Sequence, residues 1–298
     1  MKQDNPKAVM VNVLKGGLGK STLTKNTARS LCEDNSVLVI DCDDNGHLTK
    51  HLGFNSEFNS GNKLYEYLDE DSNVVLDDLI YPTGFGFDLL HSTKKMEYVE
   101  MAFEEQFNAN TVLKNEVTDK LLGDRYDYIL FDTPANRSLM TRNAALASGN
   151  MLIPLAPGEQ GKDGLNATVD RIYRQINDRF ENGMNILAIV PNKIKNRIDQ
   201  NNVDRQLLEY LNTSDKTKQF VPNFAHLPES VWGDLNQYSS NPKPGIRYDS
   251  DLNNPEPVHD VNPQSDAIEY FDELAQIIKQ GSVDREKDKE KRIRATHK

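Results

Sequence analysis

Residues 9–22 read Val-Met-Val-Asn-Val-Leu-Lys-Gly-Gly-Leu-Gly-Lys-Ser-Thr, and this stretch decides the fold. An apolar run leads into a glycine-rich loop that ends at Lys20, Ser21 and Thr22. Glycines let a loop wrap tightly, so that successive backbone N–H groups point at phosphate oxygens, while a helix N-terminus and a lysine add positive charge. The stretch therefore predicts a phosphate-binding loop between a strand and a helix.

The loop departs from the general pattern G-x-x-x-x-G-K-[ST] at its first position. Gly19, Lys20 and Ser21 match the end of the pattern, but Leu14 replaces the first glycine. A second lysine, Lys15, precedes the glycine pair. A tight turn without a ligand is the alternative, but the β-like run before the loop and the helical pattern after it favour phosphate binding.

Strand-like and helix-like patterns alternate along most of the chain. Buried strands are predicted at Ala8–Leu14, Val37–Ile40, Tyr128–Asp132, Met151–Leu155 and Ile186–Val190, with further strands near Phe85–Leu90 and Phe220–Phe224. Helices are predicted at Ser21–Glu33, Met96–Phe107, Val112–Leu122, Asp163–Phe180 and Pro263–Gln280, and in a stretch that ends at Ala147. This alternation predicts an α/β fold with a doubly wound, mostly parallel sheet flanked by helices, of the P-loop NTPase type.

Composition and charge limit the possible domain organisation, cellular location and binding partners of the chain. We expect a single domain over residues 1–281, with an elaborated segment at 54–125 and a charged, disordered tail at 282–298. The tail has too few apolar residues for a membrane-binding helix, and the N-terminus lacks a signal-peptide core, so we expect a cytoplasmic protein. The net charge of −11 argues against nonspecific nucleic-acid binding by the overall field but allows a local basic patch.

Phosphoryl transfer needs a phosphate cradle, a magnesium ion and a group that positions the attacking water. Lys20 would neutralise the β- and γ-phosphates, Ser21 would offer a hydroxyl to Mg²⁺, and Asp132 ends a neighbouring strand. Either Asp41 or Asp43 could orient water. Aspartates at strand ends also cap helices and make turns, which is the structural alternative for each of these positions.

Three segments of the chain resemble motifs of the ParA/MinD ATPases. Residues 15–22 resemble the deviant Walker A loop of that family, residues 37–49 with Gly46 resemble its second motif, and residues 128–134 resemble its Walker B strand. The resemblance covers most of the chain, although residues 54–125 match only loosely. Similarity is strongest to the Soj-like partition ATPases that have no N-terminal DNA-reading domain.

The resemblance implies that the cofactors are ATP and Mg²⁺ and that the active form is a sandwich homodimer. Lys15 would reach across to the nucleotide bound by the partner, and Asp43 would position water. Asp41 and Asp132 would serve the magnesium site together with Ser21. Nucleotide-binding residues implied by the family are Lys15, Gly16, Gly17, Leu18, Gly19, Lys20, Ser21 and Thr22, with Asn192 and the loop containing Pro228 at the adenine.

The family's partition members imply nonspecific DNA binding by the ATP dimer, nucleoid association and release when a ParB-like partner stimulates hydrolysis. Lys193, Lys195 and Arg197 are the predicted DNA contacts, although a solvated charged loop would explain them equally well. Residues 228–234 are acidic where the family carries a basic contact. Two alternatives stay open: a ParA-like ATPase that positions a protein cargo without DNA, and a metabolic P-loop enzyme.

Overall fold

A seven-stranded sheet forms the centre of the protein. The computed structural model describes residues 7–60, 63–181, 183–194, 202–215, 217–222, 225, 246 and 250–281. The strands are β1 (Ala8–Val11), β2 (Val37–Asp41), β3 (Ile80–Pro82), β4 (Asp88–Leu90), β5 (Tyr128–Asp132), β6 (Asn150–Leu155) and β7 (Asn185–Pro191).

The strand order is β3-β4-β2-β5-β1-β6-β7, and every neighbouring pair runs parallel except β3 with β4. The register places Asp132 beside Val11 on one side and beside Asp41 on the other. These residues therefore end their strands at the same level. In open α/β sheets, ligands bind in the crevice outside the carboxyl ends of the strands, and the glycine-rich loop leaves β1 there.

Helices lie on both faces of the sheet. They are α1 (Lys20–Leu31), α2 (His47–His51), α3 (Asn55–Ser60), α4 (Leu64–Tyr67), α5 (Met96–Glu105), α6 (Asp119–Leu121), α7 (Leu139–Ser148), α8 (Glu159–Thr168), α9 (Arg174–Arg179), α10 (Asn202–Thr213), α11 (Val258–Val261) and α12 (Ala267–Gln280). Single π-helical turns at Leu113–Thr118 and Val169–Tyr173 lead into α6 and α9. Within the described residues, no helix is both long and apolar enough to cross a membrane.

Each face of the sheet carries its own apolar layer, because successive strand residues point to opposite faces. Met10 and Phe131 pack in one layer with Phe103 of α5. Val9 packs in the other layer with Phe271 of α12. A central strand that is buried on both faces reads as a continuous apolar run, which is how β1 appears in the sequence.

The predicted doubly wound sheet is confirmed, and its five central strands lie within three residues of the predicted bounds. The antiparallel edge strand β3 was not predicted. It is only three residues long and contains Pro82, which a sheet tolerates at an edge. Residues 282–298 lie outside the described residues. The division into one domain and a tail stays a prediction.

The helix expected at Val112–Leu122 is present over residues 112–121, but Leu113–Thr118 within it are π-helical. This stretch packs on α7, where Asn143 accepts a hydrogen bond from the Leu113 backbone. One element prediction was wrong. The strand expected at Phe220–Phe224 begins instead as a 3₁₀ turn over Lys218–Phe220. Here the Lys218 N–H donates to the Ser214 carbonyl, and this hydrogen bond keeps the chain in a turn. Residues 223–224 of the expected strand lie outside the described residues.

Candidate functional site

The glycine-rich loop connects β1 to α1 and is anchored from α8. The Leu14 N–H donates to the Thr168 hydroxyl oxygen at 2.9 Å, and that hydroxyl donates in turn to the Gly164 carbonyl. A Cβ on Gly164 would lie 3.1 Å from the Cβ of Lys15. The absent side chain at Gly164 thus lets α8 approach the loop, and Leu14 takes the place of the usual glycine with its backbone held by Thr168.

Asn192, which follows β7, supports the other end of the loop. Its Nδ2 donates to the Leu18 carbonyl at 3.0 Å, and its Oδ1 accepts from the Lys193 N–H at 2.9 Å. Gly19 has a φ of +90°, and a Cβ there would lie 2.1 Å from Asn192 Nδ2. Only glycine fits this position. The adenine contact implied for Asn192 stays a prediction, because its amide is engaged with the loop here.

An open cavity of about 710 Å³ lies over the loop at the carboxyl end of the sheet. It brings together eight of the residues predicted as nucleotide, water or DNA contacts: Gly16, Gly17, Gly19, Lys20, Ser21, Thr22, Asp43 and Lys193. Leu18 is buried beneath the loop. Of the remaining predicted residues, Lys195, Arg197 and Pro228 lie outside the part of the chain that the structure describes.

The two loop lysines have opposite surroundings. Lys20, the first residue of α1, is 8% exposed and lines the cavity. Lys15 is exposed, does not line the cavity of its own chain, and its ammonium group makes no hydrogen bond or ion pair to any described residue. Lys20 therefore lies at the cavity of its own chain, whereas Lys15 is exposed to solvent outside it.

Asp41, at the end of β2, holds the following loop in shape. Its Oδ2 accepts from the Thr49 hydroxyl at 2.6 Å and from the Thr49 N–H at 2.9 Å, and its Oδ1 accepts from the Asp43 N–H at 3.1 Å. Burial raises the pKa of the Asp41 carboxyl to about 6 against these hydrogen bonds. Both carboxylate oxygens are already used, so the metal role predicted for Asp41 stays a prediction.

Asp132, at the end of β5, is fully buried and only partly satisfied. Thr24 donates to its Oδ1 at 3.3 Å, while Oδ2 has no hydrogen-bond partner. Burial raises the pKa of the Asp132 carboxyl to about 8, the Asp41 carboxylate adds to the rise, and the Ser21 hydroxyl and the Lys20 ammonium oppose it. Such an oxygen is costly to bury without compensation by a proton or a cation.

The residues around Asp132 fit a magnesium ion that is completed by phosphate oxygens and water. Mg²⁺ is usually held by one or two carboxylates plus substrate phosphates, not by an all-protein cage. The unpartnered Asp132 oxygen and the Ser21 hydroxyl, which interacts with Asp132, supply such a partial site. No cluster of three or more His, Cys, Asp or Glu ligands occurs among the described residues.

Asp43 lies in the wall of the cavity, where Asn45 orients it. The Asp43 Oδ1 accepts from both the backbone N–H and the side-chain amide of Asn45, each at 3.0 Å. The Asp43 carbonyl accepts from the Ser92 hydroxyl at 2.5 Å. A carboxylate held at the mouth of a phosphate site can act on a water molecule there.

Several cavity residues were missed in the sequence. Lys25, Asn45, His47, His51 and Asn136 all line it. The presence of Lys25 at the cavity could have been predicted from helical spacing, because Lys25 lies one turn after Ser21 on the same face of α1. Asn45 and Asn136 sit in irregular loops that follow β2 and β5, where periodicity gives no information.

The Lys25 ammonium donates to the carbonyls of Asn254 and Pro255 and so joins α1 to the chain before α11. Burial lowers the pKa of Lys25 to about 8, although Glu256 acts in the opposite direction.

Residues 6–185, more than half of the chain, match the AAA_31 family, which is described as an AAA domain. The chromosome partitioning protein ParA of Myxococcus xanthus is 29% identical over 174 residues, covering 57% of this chain and 60% of that protein. The sporulation initiation inhibitor protein Soj of Bacillus subtilis is 25% identical over 245 residues, covering 82% of this chain and 91% of Soj.

The fold is shared with an ATP complex of a Cyanothece McdA variant, with a TM-score of 0.71 at 20% identity over 92% of this chain and 97% of that one. Three features of the structure agree with these similarities: the glycine-rich loop, the presence of Lys20 and Asp132 at one site, and the parallel sheet. The chain therefore belongs to the AAA_31 family and is a ParA family ATPase.

Proposed function

We propose that this chain is a DNA segregation ATPase that hydrolyses ATP to ADP and phosphate with Mg²⁺. In this proposal it dimerises on ATP, binds DNA nonspecifically as the dimer, and leaves the DNA when a ParB-like partner stimulates hydrolysis. The chain would then be cytoplasmic and associated with the nucleoid, and it would take part in the partition of a plasmid or a chromosome.

The opposite exposure of Lys15 and Lys20 is the observation that supports this proposal most strongly. A P-loop enzyme that works as a monomer needs only the lysine that faces its own phosphates. Here a second loop lysine is exposed, lies outside the cavity and has no described partner. An ammonium group in that position can neutralise a phosphate bound by another copy of the chain.

In the proposed reaction, Lys20 and the loop N–H groups hold the β- and γ-phosphates and stabilise the charge that develops on them. Asp43 orients the attacking water, and Asn45 keeps the Asp43 carboxylate in place. Ser21 and Asp132 would hold Mg²⁺, which would neutralise phosphate charge. Lys15 of the second copy completes the site, so that hydrolysis depends on dimerisation.

DNA binding requires a local basic surface on this acidic protein. Residues 54–125 contain fifteen Asp or Glu and six Lys or Arg, so this segment carries −9 of the formal charge of −11. The rest of the chain is nearly neutral and can present a basic patch. Lys193 lies half-buried in the cavity wall, which leaves Lys195 and Arg197 as the better candidates from the predicted set.

The test measures DNA retention and molar mass for wild type, Lys20→Ala and Asp43→Ala, each with ATP and with ADP. Wild type should bind DNA only with ATP, Lys20→Ala should neither dimerise nor bind, and Asp43→Ala should persist as a dimer that does not hydrolyse ATP. Replacing Lys195 and Arg197 by Ala should lower DNA affinity and leave dimerisation intact. DNA binding by wild type that is independent of nucleotide would contradict the proposal.

A ParA-like ATPase that positions a protein cargo is the second candidate, and the net charge of −11 favours it. If the chain dimerises with ATP but does not bind DNA at moderate salt, the result would reject DNA segregation and favour the positioning of a protein cargo. Turnover of a small molecule by a monomer would instead favour a metabolic enzyme.

A further inference from the structure

The segment between β2 and β5 presents most of the exposed large apolar side chains of the described chain. Val75, Tyr98, Met101 and Phe107 lie in it and are 46–102% exposed, and only Tyr210 lies elsewhere among the described residues. Exposed apolar residues that cluster on one surface mark interaction sites more often than scattered ones do. Residues 54–125, which make up most of this segment, are the part that resembles the ParA family only loosely.

A groove of about 500 Å³ runs between α4 and α5 in this segment. Tyr65 and Leu68 line it from the side of α4, and Tyr98, Met101 and Ala102 line it from α5. The two tyrosine rings lie 5.7 Å apart between centroids and are tilted by 41°. The α5 residues share one face of the helix, because they are spaced by three or four positions.

Carboxylates surround this apolar floor. Asp69, Glu70 and Glu105 line the groove and are exposed. None of the three has an ion-pair partner among the described residues. The groove also belongs to the segment that holds nearly all of the net negative charge. Its surface is therefore both aromatic and strongly acidic.

Lysine and arginine side chains match such a surface, because an aliphatic stem can pack on a ring while the charged end pairs with a carboxylate. The chain already shows cation–ring contacts of this kind within the same segment. The Lys95 ammonium lies 5.6 Å from the centre of the Tyr98 ring, and Lys120 lies 5.5 Å from the Tyr67 ring while it pairs with Glu116.

We propose that the groove between α4 and α5 is a docking site for a lysine- and arginine-rich segment of a second protein. The choice of occupant rests on charge complementarity, since three carboxylates without an ion-pair partner among the described residues would disfavour an acidic segment or the same acidic face of a second copy. The consequence for hydrolysis rests on the proposed function, whereas the docking itself does not.

The opposite side of α5 contacts the start of α7, the helix that follows β5, and the turn before α5 contacts the loop that follows β2. Glu100 of α5 accepts a hydrogen bond from the Met140 N–H at 3.0 Å, near the start of α7. The turn before α5 reaches Asp43, because the Ser92 hydroxyl donates to the Asp43 carbonyl. A partner on α5 can therefore alter the loops that hold Asp43 and follow Asp132.

The chain's own basic C-terminus is the main competing occupant. Residues 285–298 include Lys291, Arg292 and Arg294. The chain reaches this segment from α12, which packs in the apolar layer on the other face of the sheet from α5. A partner protein needs no such path around the sheet, which favours it as the occupant.

The experiment measures binding of a short fluorescein-labelled peptide that repeats Arg-Leu-Lys to the full-length chain without nucleotide, by fluorescence anisotropy at about 0.15 M salt. The groove variant combines Asp69→Asn, Glu70→Gln and Glu105→Gln. Its matched control removes three exposed carboxylates elsewhere: Glu33→Gln, Asp34→Asn and Asp178→Asn. We expect the groove variant to weaken binding about tenfold and the control by less than about twofold.

A second variant, Met101→Ser, should weaken binding with every charge retained. Equal losses in the groove variant and its control would overturn the proposal, because binding would then reflect only the overall charge. A large gain in affinity after deletion of residues 282–298 would overturn it in favour of the chain's own tail. Peptide binding in a chain that proves unable to hydrolyse ATP would refute the proposed function and leave the docking site in place.

Discussion

Individual residues of the glycine-rich loop have distinct roles, and only some of these roles can be predicted from the sequence. The order Lys15, Gly16, Gly17, Leu18, Gly19, Lys20 predicts phosphate binding because glycine spacing and a terminal lysine have a direct physical meaning. The sequence could not predict that Asn192 donates to the Leu18 carbonyl and packs against Gly19, because Asn192 is distant from the loop in the chain and meets it only when the protein is folded. The opposite exposure of the two lysines also appears only in the folded chain.

Gly19→Ala should abolish tight nucleotide binding. The variant combines a positive φ with a Cβ that would overlap Asn192, so the loop must open. Gly53→Ala is a matched control, since Gly53 has a φ of +92° and nothing within 4 Å of the added Cβ. Both variants should lose about 1–2 kcal/mol of folding stability from backbone strain. Only Gly19→Ala should lower the affinity for a fluorescent ATP analogue by more than about tenfold, and equal affinities would contradict this account of the loop.

Lys25 should make folding stability depend on alkaline pH. Burial lowers the pKa of Lys25 to about 8 in the folded chain, against 10.5 for a lysine side chain in water. Between these values the unfolded chain binds more protons, so the free energy of unfolding should rise with pH, by about 3 kcal/mol in total. Lys25→Met should remove this rise in urea denaturation, and Lys94→Met, at an exposed site, should keep it. If the free energy of unfolding of Lys25→Met still rises with pH over this range, another titratable group causes the rise.

Among the secondary-structure elements, the strands that are buried on both faces were predictable and the surface segments were not. β1, β2, β5, β6 and β7 are buried on both faces and read as continuous apolar runs. By contrast, β3 is too short for a pattern, and the turn at Lys218–Phe220 takes its shape from contacts with α10. The role of α8 as the support of the loop depends on glycine and threonine positions that carry no hydrophobic signal.

Thr168→Val should detach α8 from the loop. The substitution removes the acceptor of the Leu14 N–H and should lower the free energy of unfolding by about 1–3 kcal/mol in urea denaturation. Thr213→Val is the control, because the Thr213 hydroxyl also donates to a helix carbonyl but accepts nothing from a loop. This control should change stability by less than about 0.5 kcal/mol. Similar losses in both variants would mean that the contact with Leu14 contributes little.

For the whole molecule, the fold places the phosphate loop, Asp43 and Asp132 at one edge of the sheet and leaves Lys15 facing outward. Within the acidic segment at 54–125, α5 lines the groove and contacts the start of α7 through the hydrogen bond from the Met140 N–H to Glu100. We interpret the chain as an ATP switch whose active site is completed by a second copy. This interpretation makes the oligomeric state the property to measure.

Sedimentation velocity of wild type and Lys15→Gln, each with Mg²⁺ and either ATP or ADP, tests this claim most directly. Wild type should form a dimer with ATP and remain a monomer with ADP. Lys15→Gln should bind ATP yet stay monomeric, while Lys94→Gln, an exposed lysine outside the loop, should behave as wild type. A Lys15→Gln variant that dimerises on ATP and hydrolyses it at the wild-type rate would contradict the account.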